Sequence, residues 1–147
     1  MYASPQEKPF KIYQSSAGSG KTYTLVKEYI SIILNSENPN KFRQILAITF
    51  TNKAATEMKE RVLDALLQLS KDADAKLMED FVTSTGIKKP ELINKSSKAY
   101  KNIIHQYGDF NILTIDKFVH RIIRSFAREL DLSLSFEIET DIDSFLQ

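Results

Sequence analysis

The sequence predicts an α/β chain: a parallel sheet flanked by helices and interrupted by a helical insertion. Two short apolar runs rich in β-branched residues, 44–50 (QILAITF) and 111–115 (NILTI), have the continuous character of strands covered on both faces. Each is followed by apolar residues at helical spacing, and a Gly- and Ser-rich turn joins a third strand-like segment to a helix near the N-terminus. Strands alternating with helices in this order build βαβ units, whose crossovers make neighbouring strands parallel.

Residues 10–13 (FKIY) alternate as a short strand after a polar leader ending at Pro9, and residues 15–20 form the turn. From Lys21 the spacing is helical, with Leu25, Tyr29, Ile32 and Ile33 expected on one face until Pro39 and the Asn-rich stretch 35–40 break it. The run 44–50 closes this unit. Thr51 or Asn52 can cap the next helix, where Ala55, Met58, Val62, Leu66 and Leu69 form one apolar stripe with Lys59, Glu60 and Asp64 outside it. Residues 70–102 are polar and Lys-rich with Gly86 and Pro90, and are expected to form helical pieces of a peripheral insertion. After the strand at 111–115, Phe118, Ile122, Ile123, Phe126 and Leu130 line a helix expected to end near Asp131. Residues 133–140 alternate as a further strand, and 141–147 begin a helix. The expected organisation is therefore 1–69 for the first two strand–helix units, 70–110 for the insertion and 111–147 for a third unit and the start of the next segment.

The 147 residues are 42% hydrophobic and 27% charged, enough for one cooperative core. With 20 Lys and Arg against 19 acids, the formal charge of +1 excludes any argument from gross polycationic or polyanionic character. Locally the balance is uneven. Residues 1–69 hold nine bases and six acids, residues 70–147 hold eleven and thirteen, and six acids follow Arg128, so partners are expected at the front half. The absence of Cys excludes a disulfide framework and Cys-ligated zinc, while His105 and His120 lack ligand spacing and read as surface or core residues. No apolar run approaches the about 18 residues of a membrane span, and the leader with Glu7 lacks a signal peptide's apolar core. A cytoplasmic chain without membrane contact is expected.

The segment 15–22 (SSAGSGKT) lies where a strand hands over to a helix, and phosphate binding needs what it contains. Gly18 and Gly20 let the backbone approach an anion without a Cβ in the way. Successive N–H groups of Ser16, Ala17, Gly18, Ser19 and Gly20 can then point inward as a nest, continued by Lys21, Thr22 and Tyr23 at the positive end of the helix dipole. Lys21 can reach β- and γ-phosphates, and the Thr22 hydroxyl suits Mg²⁺, a hard cation that prefers oxygen. These residues predict a bound nucleotide with Mg²⁺, with Lys21 and Thr22 the catalytic pair. Ser15 stands where the pattern G-x-x-x-x-G-K-[ST] has its first Gly.

A phosphate loop is shared by kinases, switches and motors, so the segments after it decide between them. Residues 46–62 (LAITFTNKAATEMKERV) place Phe50, Thr51, Asn52 and Lys53 at the end of the second strand, on the sheet edge that also carries the phosphate loop and where open α/β sheets bind ligands. Two readings stand for this turn. Phe50 stacks a base while Thr51 and Asn52 hold a phosphodiester, or Phe50 enters the core and Thr51 or Asn52 merely caps the helix.

Taken together, SSAGSGKT, ITFTNKAATEM and TIDKFVHRIIRSFA resemble the N-terminal half of the first motor domain of UvrD/Rep-type superfamily 1 DNA helicases, and among them the RecB/AddA-like helicase-nucleases. The likeness covers residues 12–69 and 111 to about 145, leaving the middle unmatched. It implies a partial RecA-like P-loop fold, with Gly18, Gly20, Lys21 and Thr22 contacting ATP and Mg²⁺. It also implies single-stranded DNA at Phe50, Thr51, Asn52 and Lys53. A third motif falls on Thr114, Ile115, Asp116, Lys117 and Phe118, with Asp116 where His is usual, so the resemblance implies DNA contact through Thr114 and Lys117. A carboxylate at Asp116 repels phosphate and cannot donate to it; the same residue also reads as the cap of a helix starting at Lys117.

The resemblance further implies translocation 3′ to 5′ in DNA repair or recombination. It implies two partners, the remainder of a helicase chain and a nuclease subunit, and a longer parent that supplies a DExx strand and a second motor lobe. No carboxylate pair follows an apolar strand here, so the chain is expected to be a truncated piece without turnover of its own. The alternative is a small self-contained P-loop kinase or nucleotide switch, with Arg121, Arg124 and Arg128 pressed into a lid. The basic residues Lys88, Lys89, Lys95, Lys98 and Lys101 around Tyr100 read as a solvated face or as phosphate contacts.

Overall fold

The structure, a computed structural model, describes residues 12–13, the backbone of Lys21 and residues 22–126. The turn at 15–20, the first half of the predicted strand at 10–13 and every element expected beyond Phe126 lie outside the described residues. Ile12 and Tyr13 join no sheet among the described residues, and the Tyr13 hydroxyl instead donates to Glu28 at 2.7 Å.

Helix α1 spans Lys21–Leu34. Its buried side is Val26, Tyr29, Ile30, Ile33 and Leu34, whereas Leu25 and Ile32 remain 50% and 45% exposed, which corrects the face expected for this helix. Apolar residues wrap more than half of α1, so spacing alone allows two phases and packing selects the one centred on Ile30. The chain then turns through a 3-10 helix, Lys41–Gln44, that buries Phe42 completely. This turn takes Gln44 out of the predicted strand, leaving β1 as Ala47–Thr49.

Helix α2, Asn52–Lys71, buries Ala55, Met58, Val62, Leu66 and Leu69, the stripe expected from the sequence. Helix α3, Ala75–Thr85, is capped by Asp74, whose carboxylate accepts from the Leu77 N–H at 3.0 Å, and contributes Met78 and Phe81 to the core. Helix α4, Lys89–His105, starts with Pro90 in its first turn, where a missing N–H costs nothing, and buries Leu92, Ser96, Ala99 and Ile103 along α2. The segment expected to be a peripheral insertion is thus part of the core. Its average polarity hides an apolar residue every third or fourth position, and one such face is enough.

After a short 3-10 turn, Tyr107–Asp109, strand β2 runs Ile112–Thr114 and pairs parallel to β1 with Ala47 opposite Ile112 and Thr49 opposite Thr114. Helix α5, Ile115–Ser125, follows without a loop, so Ile115 belongs to the helix and not to the predicted strand. The expected parallel pairing is present, but only β2 is buried throughout; among the described residues Leu46, just before β1, and Ile48 within it are about half exposed. Phe110 joins the layers, meeting Tyr29 edge to face at 5.9 Å.

Gly86 closes α3 with φ 72°, and its N–H returns to the Val82 carbonyl at 2.9 Å. A Cβ added there would touch nothing within 4 Å, so Gly86→Ala carries the cost of left-handed backbone alone. We expect it to lower unfolding free energy by about 1 kcal/mol, and Gly86→Asn by less, as read from urea midpoints.

Candidate functional site

The parallel register sets Thr49 beside Thr114, so the turn after β1 and the turn after β2 open on one edge of the sheet. Each turn is a helix start built by a Thr. The Thr51 hydroxyl accepts from the Ala54 N–H at 3.1 Å, and the Thr49 hydroxyl braces the same turn by donating to the Thr51 carbonyl at 3.0 Å. At the second turn the Thr114 hydroxyl accepts from the Lys117 N–H at 3.4 Å. Thr114, not Asp116, is therefore the cap of α5, and the helix begins two residues before Lys117; this corrects the capping role considered for Asp116. The physical reason is that β2 delivers Thr114 in extended backbone, with its side chain already beside the first free N–H groups.

Phe50 is 89% exposed, which removes the core reading of this side chain. Thr51, Asn52 and Lys53 are exposed beside it, while Thr114 is 4% exposed and occupied as a cap, so its contribution to this edge is to place Lys117. An exposed ring at a strand end, next to two helix N-termini with unpaired N–H groups, offers a flat apolar face and anion-attracting dipoles within one edge.

Of the phosphate-loop residues, Ser16, Ala17, Gly18, Ser19 and Gly20 lie outside the described residues, and Lys21 opens α1. Thr22 is half-buried in the first turn. The Tyr23 hydroxyl donates to Asp80 of α3 at 3.0 Å, and burial together with that carboxylate pushes the phenol above its ordinary range.

Between α2 and α5, a recess of about 340 Å³ brings Asn52, Thr56 and Lys59 together with Lys117 and Arg121 over Tyr107 and Phe110. The Lys59 ammonium lies 4.8 Å from the Tyr107 ring centre and 5.7 Å from that of Phe110. Burial, then the like charges of Lys117 and Arg121, hold the Lys59 amine below its usual value. Periodicity along the sequence sets Lys59 merely outside the apolar stripe. The signal that finds it is spacing: Asn52, Thr56 and Lys59 share a helix face, as do Lys117, Arg121 and Arg124.

The other basic stretch is partly consumed. Lys89 pairs with Asp72 at 2.7 Å, and Lys95 with Glu37 at 2.9 Å, which raises the lysine and lowers the carboxyl, each chiefly through their shared hydrogen bond. Such exposed pairs favour the solvated-face reading. Among the described residues no group of three or more His, Asp or Glu could hold a metal ion, and no helix is long and apolar enough to cross a membrane.

Known proteins share this sequence pattern. The family model described as the UvrD/REP helicase N-terminal domain matches residues 2–147. An ATP-dependent helicase/nuclease subunit of Clostridium botulinum (strain Alaska E43 / Type E3) is 35% identical over 125 residues, 84% of this chain and 8% of that protein. The protein of the same name from Clostridium acetobutylicum is 35% identical over 130 residues, 87% of this chain and 9% of its own length. That from Bacillus cytotoxicus is 35% identical over 133 residues, 90% of this chain and again 9% of its own length. The chain thus spans less than a tenth of the curated relatives it matches. No solved structure matches it significantly.

Proposed function

We propose, because this chain belongs to the family of UvrD/REP helicase N-terminal domains, that it is the nucleotide-holding front of a motor that moves along single-stranded DNA, 3′ to 5′, in repair or recombination. Relatives named as ATP-dependent helicase/nuclease subunits support a helicase-nuclease parent working with a nuclease partner subunit in the cytoplasm. The observation that carries the DNA half of this reading is Phe50, exposed at the end of β1 beside the turn that follows β2.

In this reading Ser16, Ala17, Gly18, Ser19 and Gly20 cradle the phosphates of ATP through their N–H groups, Lys21 neutralises the outer phosphates, and Tyr23 closes the first turn of α1. The hydroxyl of Thr22 fits Mg²⁺ by chemistry, an oxygen donor in the first turn of a helix. When bound, that ion supplies charge neutralisation between phosphates. Phe50 stacks a base, while Thr51, Asn52, Lys53 and Lys117 hold backbone phosphates around it, with Thr114 positioning Lys117. ATP binding changes how this lobe and a second one grip the strand, which converts closure of a cleft into movement.

The division into residues 1–69, 70–110 and 111–147 belongs to the same proposal, with α3 and α4 serving as a buttress for α2. Residues 1–147 contain no carboxylate pair after an apolar strand, so we propose that this chain holds ATP without turning it over. The kinase alternative needs a lid of Arg residues, whereas Arg121 and Arg124 lie along one helix, α5, with Arg121 beside Lys59 and Lys117.

Fluorescence anisotropy with labelled oligothymidylate tests the strand-end site. Phe50→Ala should weaken binding by about 1–3 kcal/mol, the cost of one lost stacking platform, while leaving the salt dependence unchanged. Unaltered affinity would remove Phe50 from the track.

A further inference from the structure

We propose that the recess between α2 and α5 is a second anchorage for single-stranded nucleic acid, in which Lys59, Lys117 and Arg121 together hold a backbone phosphate beyond the strand-end edge. The inference rests on the nucleic-acid reading above and extends it to residues that none of the sequence motifs assigns to DNA, Lys59, Tyr107 and Arg121.

Three cations face one space of about 340 Å³, and its other polar walls are Asn52 and Thr56. Among the described residues no carboxylate lines it. Of the acids next to its lining residues in sequence, Glu57 pairs with Arg61 on α2 and Asp109 with Arg43 at 2.9 Å, while Glu60 and Asp116 are not among its walls. Like charges this close repel, most strongly where burial lowers the effective dielectric, so the recess carries an electrostatic cost that an entering anion reverses. Burial first, and then the charges of Lys117 and Arg121, hold the Lys59 amine below its usual value, in keeping with that crowding.

A phosphodiester suits the recess better than a carboxylate side chain does. Asn52 and Thr56 add an amide and a hydroxyl, the groups that commonly hold sugar and phosphate, and Tyr107 offers a half-exposed ring at the rim. Lys117 and Arg121 also line an open recess of about 540 Å³ along α5 with His120, Arg124 and Ser125, so an extended polyanion would meet cations at more than one point. Asn52 belongs to both the strand-end turn and the recess, so a strand leaving Phe50 meets Lys59 two helical turns further along α2.

The experiment measures binding of oligothymidylate to the 147-residue chain across a salt series. Lys59→Gln and Arg121→Gln should each weaken binding about threefold or more and reduce the slope of log affinity against log salt by about 0.7, whereas Lys59→Arg retains both. Lys98→Gln, on the exposed face of α4, should change neither. An oligothymidylate with a neutral methylphosphonate backbone should lose its sensitivity to Lys59→Gln, and inorganic phosphate alone should compete only weakly. If Phe50→Ala weakens binding while Lys59→Gln and Arg121→Gln leave affinity and slope intact, the strand-end site stands and the second anchorage falls. Poly-L-glutamate held as tightly as oligothymidylate would overturn the choice of phosphodiester. No binding of oligothymidylate by the unaltered chain would remove both readings.

Discussion

Lys21→Ala is expected to weaken binding of a fluorescent ATP analogue by about 2–5 kcal/mol, roughly thirtyfold or more, without lowering the thermal midpoint of the chain. The size reflects what is left behind. On the proposed reading the phosphates keep their N–H contacts with residues 16–20 but lose the loop's one full positive charge, and a truncated partner leaves a poorly compensated anion rather than a neutral gap. Lys21→Arg should recover only part of the loss, because a planar fork does not reproduce a compact ammonium. Equal affinities for the unaltered chain and Lys21→Ala would remove the nucleotide reading, whatever happened at Phe50. Thr22→Ala separates the two roles within the turn: it should weaken the analogue in the presence of Mg²⁺ and leave metal-free binding nearly unchanged.

Leu92→Ala should destabilise the fold by about 2–5 kcal/mol, the range for deleting a fully buried Leu that its neighbours cannot replace. Leu92 has no exposed surface and lies on the face of α4 that packs along α2. A domain of this size holds roughly 5–15 kcal/mol in total, so the urea midpoint should fall by about 1 M or more. Lys98→Ala on the opposite face should stay within about 0.5 kcal/mol. A midpoint unmoved by Leu92→Ala would return α4 to the status of a peripheral insertion. The same truncation has a functional consequence, since α2 is the element that carries Asn52 and Lys59 and is capped by Thr51. Loosening its support should also blur the strand-end edge.

Element by element, the sequence was readable where one local rule acted alone. Helix α2 has a single apolar stripe against an otherwise polar surface, so periodicity named Ala55, Met58, Val62, Leu66 and Leu69 without knowledge of their partners. The parallel pairing of β1 with β2 came from strands separated by helical crossovers. Legibility failed where two rules competed. In α1 the apolar residues permit two faces, and the choice of Val26 and Ile30 over Leu25 and Ile32 belongs to the surface they pack against. At Gln44, the 3-10 helix that buries Phe42 competes with the strand expected over 44–50 and takes its first residue. In α4 a polar average concealed Leu92, Ala99 and Ile103, which only α2 makes a core face.

The candidate site divides in the same manner. The residues proposed for the site at Lys21, Thr22, Phe50 and Asn52 could be picked out locally because each lies within a contiguous motif of short spacing along the chain. That Phe50 faces solvent, that Thr114 rather than Asp116 caps α5, and that Lys59 meets Lys117 and Arg121 are facts of assembly. The last joins residues about 60 positions apart, and no local pattern encodes the distance between them. Short-range preferences specify which segments become helices and which turns can hold an anion. Burial, being a property of pairs of elements, settles which face turns inward and which charges are forced to share a space.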